Sequence, residues 1–155
     1  MHPQTTEIRT ALFAELDART FHDLLKLRID VFVVEQNCPY PELDGRDVEP
    51  GTRHLWSTDD GALMAYLRIL TDPDGLARIG RVVAAPAARG GGHAGRLMAA
   101  ALDLIGDRPC VLEAQSHLVA FYARHGFTVS GPEYVEDGIP HTPMRRDAQP
   151  AAIDV

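Results

Sequence analysis

Lysine is nearly missing from this chain: Lys26 stands alone beside fourteen arginines. Positive charge is in deficit overall, with 15 Lys and Arg against 22 Asp and Glu, a net charge of −7 and a pI near 5.4. That balance argues against nucleic acid as the main partner. Cysteine is scarce too. Cys38 and Cys110 are too few for a disulfide-stapled scaffold, and polar residues rather than an apolar export segment follow Met1. The expectation is two free thiols in a reducing, cytoplasmic setting. No apolar run is long enough to cross a bilayer, so no membrane partner is expected. Against these absences, 45% of the 155 residues are hydrophobic. That suits one globular domain with a real core and disfavours disorder.

The hydrophobic spacing alternates between strand and helix periods. Glu7 to Phe13 reads as a first strand. Thr20-Phe21-His22-Asp23 resembles a capping box, opening a helix to about Val34 with Phe21, Leu24, Leu25, Leu27, Val31 and Phe32 on its apolar face. Asn37-Cys38-Pro39-Tyr40-Pro41 stops it. The acidic stretch to Gly51, with Glu42, Asp44, Asp47 and Glu49, reads as a solvated loop on the surface or over a site. Arg53–Ser57, Ala62–Leu70 and Leu76–Ala84 read as strands. Asp59-Asp60-Gly61 and Asp72-Pro73-Asp74-Gly75 join them as turns, and links this short require antiparallel pairing. Ala94, Leu97, Met98, Ala101, Leu102 and Ile105 keep helical spacing. A strand from Cys110 to Ala114 follows, then a helix from Ser116 to His125 with Ser116 as N-cap and Gly126 at its end. Late strands at Phe127–Val129 and His141–Arg145 flank a Gly/Pro-rich loop from Ser130 to Pro140.

Arg89-Gly90-Gly91-Gly92-His93-Ala94-Gly95-Arg96 lies between a strand and a helix. Glycines there let the backbone approach a ligand, and the helix start adds unpaired N–H groups and a positive dipole end. Together they suit a phosphate or pyrophosphate. A P-loop is excluded because Arg96-Leu97 stands where lysine and a hydroxyl residue are needed. Gly90, Gly92 and Gly95 match the dinucleotide fingerprint, with Glu113 near the place of its acidic residue. That reading lacks its βαβ context, since a hairpin series precedes the loop and only one short helix follows Glu113.

Arg89-x-x-Gly92-x-Ala94 fits the [QR]-x-x-G-x-[GA] pattern of the GNAT superfamily of N-acetyltransferases. Phe121-Tyr122-Ala123-Arg124-His125-Gly126-Phe127 resembles that superfamily's aromatic signature. Longer strings are more specific. Leu27-Arg28-Ile29-Asp30-Val31-Phe32-Val33-Val34-Glu35-Gln36-Asn37-Cys38-Pro39-Tyr40 resembles the opening of the ElaA-like subgroup. Glu136-Asp137-Gly138-Ile139-Pro140-His141-Thr142-Pro143-Met144 resembles its close, and Asp44-Gly45-Arg46-Asp47 and Gly80-Arg81-Val82-Val83 agree. The resemblance covers about residues 7 to 146. His93 and Ala94 depart from the commoner small aliphatic residue and glycine.

The resemblance implies an α/β chain of the α+β type: a mixed, mainly antiparallel twisted sheet flanked by helices, with a V-shaped opening between its middle strands. One domain, residues 1–147, is expected, with a flexible tail at 148–155. The implied activity is metal-free acetyl transfer from acetyl-CoA to an amine, by direct attack in a ternary complex. The N–H groups of Gly90, Gly91, Gly92, His93, Ala94 and Gly95, beside Arg89, would hold the coenzyme's pyrophosphate. Val82, Val83 and Ala84 would pair with the pantetheine arm and polarise the thioester, and Gln115 would bind the same arm. Tyr122 matches the tyrosine that protonates the leaving thiolate; its plain alternative is a core tyrosine. Glu113 and His141 are candidates for the base, with Glu35 third. His54 reads as a satisfied sheet histidine and Trp56 as sheet packing; Cys38 reads as an inert thiol, with a reactive one the alternative. Arg28-x-x-Val31-Phe32 is also similar to acyl-homoserine-lactone synthases, but their aromatic loop signature is absent after Glu35. A silent acyl-CoA sensor is the other alternative. The acceptor amine is not legible, and oligomeric state is left open, a homodimer included.

Overall fold

The structure is a computed structural model and describes residues 5–147. The expected flexible tail, residues 148–155, lies outside the described residues. Strands β1 (Thr6–Leu12), β2 (Arg53–Asp59), β3 (Ala62–Thr71) and β4 (Ala77–Ala84) lie side by side, antiparallel. β5 (Cys110–Gln115), β6 (Thr128–Val129), β7 (Tyr134–Glu136) and β8 (Ile139–Arg146) complete one eight-stranded sheet. Its order is β1-β2-β3-β4-β5-β8-β6, with β7 also paired to β8. Among the described strands only β4 and β5 run parallel, because helix α2 (His93–Ile105) crosses between them. This is the mixed, mainly antiparallel sheet the resemblance implies.

Local chemistry accounts for much of the course of the chain. Asp60 (φ 49°) and Gly61 (φ 84°) both take the left-handed conformation that a two-residue type I′ turn requires. β3 is buried on both faces. Ala65, Leu67 and Ile69 pack with Leu97, Met98, Ala101 and Ile105 of α2, while Tyr66 packs with Leu24, Leu27 and Val31. Alternation along one strand thus places α2 and the first helix on opposite faces of the sheet.

Four sequence expectations are corrected. Helix α1 (Ala18–Ile29) starts earlier than the capping box at Thr20: Asp17 is the cap, accepting the Thr20 N–H at 2.7 Å. Its carboxylate meets the positive end of the helix. α1 then continues to Glu35 as a π-helical segment, with Gln36 N–H bonded to Val31 O and Cys38 N–H to Val33 O, each at 3.0 Å. The helix expected from Ser116 begins as a 3₁₀ turn and becomes α3 only over Val119–Ala123. Ser116 does not cap it, because its hydroxyl pairs with Thr142 at 2.8 Å. The expected loop from Ser130 to Pro140 contains β7, which turns into β8 through Asp137 (φ 51°) and Gly138 (φ 75°), a second Asp-Gly hairpin. Finally, the acidic segment is solvated only in part: Asp44 is exposed, and Asp44 and the preceding Tyr40 line the cavity between β4 and β5, but Glu42 and Asp47 are buried. They meet the buried Arg28 and Arg68, so their charges are compensated inside.

Candidate active site

β4 and β5 pair at only two positions, Ala77 with Cys110 and Arg78 with Val111. Beyond them the strands part. β4 carries a bulge there: Tyr66 faces Val83 and Arg68 faces Gly80, leaving Arg81 and Val82 opposite Leu67. An extra residue bends a strand and sharpens its twist, and Arg81 sits at φ 54°. The wedge so opened is a cavity of about 1080 Å³. Val82, Val83 and Ala84 line one wall, and Leu112, Glu113 and Gln115 the other. That size suits a small-molecule site.

The glycine loop reaches this wedge through its flanking residues Arg89 and Ala94. Gly92 (φ 78°) is the N-cap of α2, and the first helical bond runs from Arg96 N–H to Gly92 O at 3.1 Å. Gly91 N–H donates to Ala88 O at 3.3 Å, so one of the expected donors is engaged within the protein. Among the described residues no acceptor meets the N–H groups of Gly92, His93, Ala94 and Gly95. Arg89 and Ala94 line the main cavity; Gly90, Gly91 and His93 line a second hollow with Asp59 and Asp60, and Arg89 borders both. The His93 side chain turns away to Asp59, 3.6 Å from its carboxylate, which ties the helix start to the end of β2. Arg96, which the sequence reading did not assign, puts its guanidinium 3.0 Å from where a Gly92 Cβ would stand. Free amides, two arginines and the dipole of α2 fit an anionic diphosphate.

Tyr122, Glu113, His141 and Gln115 all line the main cavity, as does Glu35. Tyr122 is buried beside Phe121 and Phe127, and burial pushes its hydroxyl up to about 12. Glu113 accepts from Tyr134 at 2.9 Å and from Arg78 at 3.4 Å. His141 Nδ1 lies 2.8 Å from Ile139 O. A carbonyl only accepts, so Nδ1 carries a proton, and in the neutral ring Nε2 is the nitrogen with the lone pair. The His141 ring stacks on Tyr134 at 5.6 Å. Gln115 exchanges amide hydrogen bonds with Gln36 at 3.3 and 3.4 Å, across to the end of the π-helical segment. Glu35 and Arg89 are brought onto each other: the guanidinium donates twice to the carboxylate, at 2.5 and 2.6 Å. Those bonds hold the Glu35 carboxyl below its usual range. A base and a phosphate ligand expected to act separately are thus one ion pair here.

Sequence reasoning passed over the support behind this wall. Glu42 Oε2 accepts from Arg28 Nη2 at 2.7 Å and Arg81 Nε at 2.6 Å, and Tyr40 donates to its other oxygen. Arg68 bridges Asp44 and Asp47. The sequence signal was that Arg28 and Tyr40, Asp44 and Asp47, and Arg81 all fall within the strings that resemble the subgroup. Cys38 is buried, its thiol donating to Asp137 O at 3.2 Å. Among the described residues no three His, Cys, Asp or Glu side chains group as metal ligands, and no helix is long and apolar enough to cross a membrane.

The chain is similar in sequence and in fold to known proteins. The profile of the family described as "Acetyltransferase (GNAT) domain" matches residues 26–148. A UPF0039 protein of Mycobacterium tuberculosis is 51% identical over 146 residues, covering 92% of this chain and 94% of that one. Protein ElaA of Escherichia coli is 42% identical over 140 residues, 86% of this chain and 92% of its own. The crystal structure of E. coli ElaA superposes with a TM-score of 0.87 over 92% of this chain and all of that one, at 39% identity. An acyl-CoA N-acyltransferase from Pseudomonas aeruginosa gives 0.86 over 92% and 99%, at 46% identity.

Proposed function

Since the chain belongs to the GNAT acetyltransferase family, as an ElaA-like member, we propose that it moves an acetyl group from acetyl-CoA to an amine within one ternary complex. The observation that carries this reading is the two-residue β4–β5 ladder opening onto a cavity lined by Tyr122 and, at the start of α2, by Arg89 and Ala94. The amides of Gly92 to Gly95, with Arg89 and Arg96, are suited to hold the diphosphate once Glu35 releases Arg89. The β4 edge at Val82–Ala84, left without a β5 partner, is suited to pair with the pantetheine amides and to polarise the thioester carbonyl.

In the reaction the amine nitrogen bonds to the acetyl carbon and the carbon–sulfur bond breaks. Tyr122, kept protonated by its burial, hands its proton to the departing thiolate. His141 is the first candidate to take the amine's proton, because its Nε2 is free to accept while Glu113 already receives two donors. Glu113 is the second candidate, directly or through water. pH–rate profiles separate them: the variant whose acid-side limb is lost, His141→Ala or Glu113→Gln, identifies the base.

A thiol-release assay with acetyl-CoA against a panel of amines tests the whole reading. Turnover with an amine is expected. Tight coenzyme binding without turnover on any amine would instead make the protein a sensor of acyl-CoA.

A further inference from the structure

Among the described residues, four that are not glycine have positive φ. Asn37, Asp60 and Asp137 are residue types that tolerate this conformation, each in a turn. Arg81, at φ 54°, is different: it lies in the middle of β4, at the bulge. An arginine gains nothing intrinsic from that backbone, so something outside the strand must hold it.

The holder is visible. Arg81 Nε donates to Glu42 Oε2 at 2.6 Å, and its Nη2 donates to the Glu42 main-chain oxygen at 3.0 Å. The Arg81 guanidinium also lies over the Tyr40 ring, 5.7 Å from its centre. Glu42 is itself immobilised, its side chain 3% exposed and bonded to the fully buried Arg28 of α1. Through Arg28 and Asp47 this clamp reaches the sheet at Arg68. Resting on the donor-site reading above, we propose that Glu42 is a positioning residue for the acyl donor. By gripping the Arg81 guanidinium from the loop, it keeps the Arg81 backbone in the left-handed bulge that parts β4 from β5 and turns Val82–Ala84 into the cleft. Glu42 touches no reacting atom; it acts through Arg81.

A purely stabilising ion pair and a backbone clamp give different answers in a double-mutant cycle read by calorimetry with acetyl-CoA. In the parent protein Glu42→Gln weakens acetyl-CoA binding about tenfold, as a misplaced strand would. In an Arg81→Gly background, where glycine adopts the left-handed backbone unaided, the same change costs less than about twofold. Arg81→Val deletes the same guanidinium but cannot take that φ, and it loses at least as much affinity as Glu42→Gln. Thermal melts establish which variants fold, and the glycine–valine comparison decides the matter should Glu42→Gln not fold. Equal losses on Glu42→Gln in both backgrounds, or equal losses for Arg81→Gly and Arg81→Val, overturn the clamp. A parent protein that does not bind acetyl-CoA overturns the donor-site reading and the clamp with it.

Discussion

His54 makes two hydrogen bonds that a neutral ring satisfies together. Nε2 donates to Asp47 O at 3.0 Å, and Nδ1 accepts from the Tyr66 hydroxyl at 2.7 Å. Burial lowers its pKa from the usual 6.5 or so, against the pull of Asp47 and with help from Arg28 and Arg68. The folded state therefore binds fewer protons than the unfolded state once pH falls below that value, and stability falls with it. Urea midpoints are expected to drop between about pH 6.5 and pH 5 in the parent and to drop less in His54→Gln. Tyr122 is the second residue-scale case. Tyr122→Phe keeps the packing and removes the proton; thiol release is expected to slow at least about tenfold while calorimetric acetyl-CoA affinity stays within about twofold. Glu35 gives a third. It neutralises Arg89 in this structure, so Glu35→Gln is expected to tighten acetyl-CoA binding about threefold at low salt, an effect that shrinks as salt rises.

At the scale of the element, the start of α2 shows that its glycines are not equivalent. Gly92 has φ 78°, and a Cβ there would stand 3.0 Å from the Arg96 guanidinium. A Cβ at Gly95 would meet only ordinary contacts, His125 at 3.9 Å and Phe121 at 4.0 Å. Gly95→Ala is expected to stabilise the protein by roughly 0.5–1 kcal/mol through helix propensity, with donor affinity retained because the N–H remains. Gly92→Ala is expected to cost both stability and affinity. Denaturant titration and calorimetry on the two variants check this. The periodicity of α2 and the Asp60-Gly61 hairpin were legible because both are local rules. The Asp137-Gly138 hairpin obeys the same rule, but the prolines around it masked β7. Asp17 displaced Thr20 as the cap of α1 because either residue could begin the helix on local grounds.

At the scale of the molecule, an almost neutral set of buried charges ties the loop after α1 to the sheet. Burial works against ionisation of Asp44 and Asp47. Hydrogen bonds from Arg68 and Arg28 outweigh it and hold both carboxyls below their usual range near 3.8. Their contribution to stability is complete above that value and is lost as pH falls through the lower folded values. Acid unfolding followed by circular dichroism should therefore steepen below about pH 4. Removing one partner strands a buried charge, so Arg28→Ala is expected to lower stability by about 3–5 kcal/mol. The glycine loop, the aromatic pair ahead of Gly126 and the long strings at either end were readable and named the family. Arg81's bulge, Glu42 behind it and the Glu35–Arg89 pair were not.

The sequence by itself determined most of the succession of elements, the mainly antiparallel pairing and the strand–glycine–helix order, because spacing and turn chemistry act between near neighbours. Only the tertiary structure decided which charges are buried, where β4 leaves β5 and which expected site residues hold one another. Those outcomes join positions far apart in the chain, as Gln36 and Gln115, 79 residues apart, are. They depend on the summed cost of desolvation and backbone strain, which no short stretch of chain carries alone.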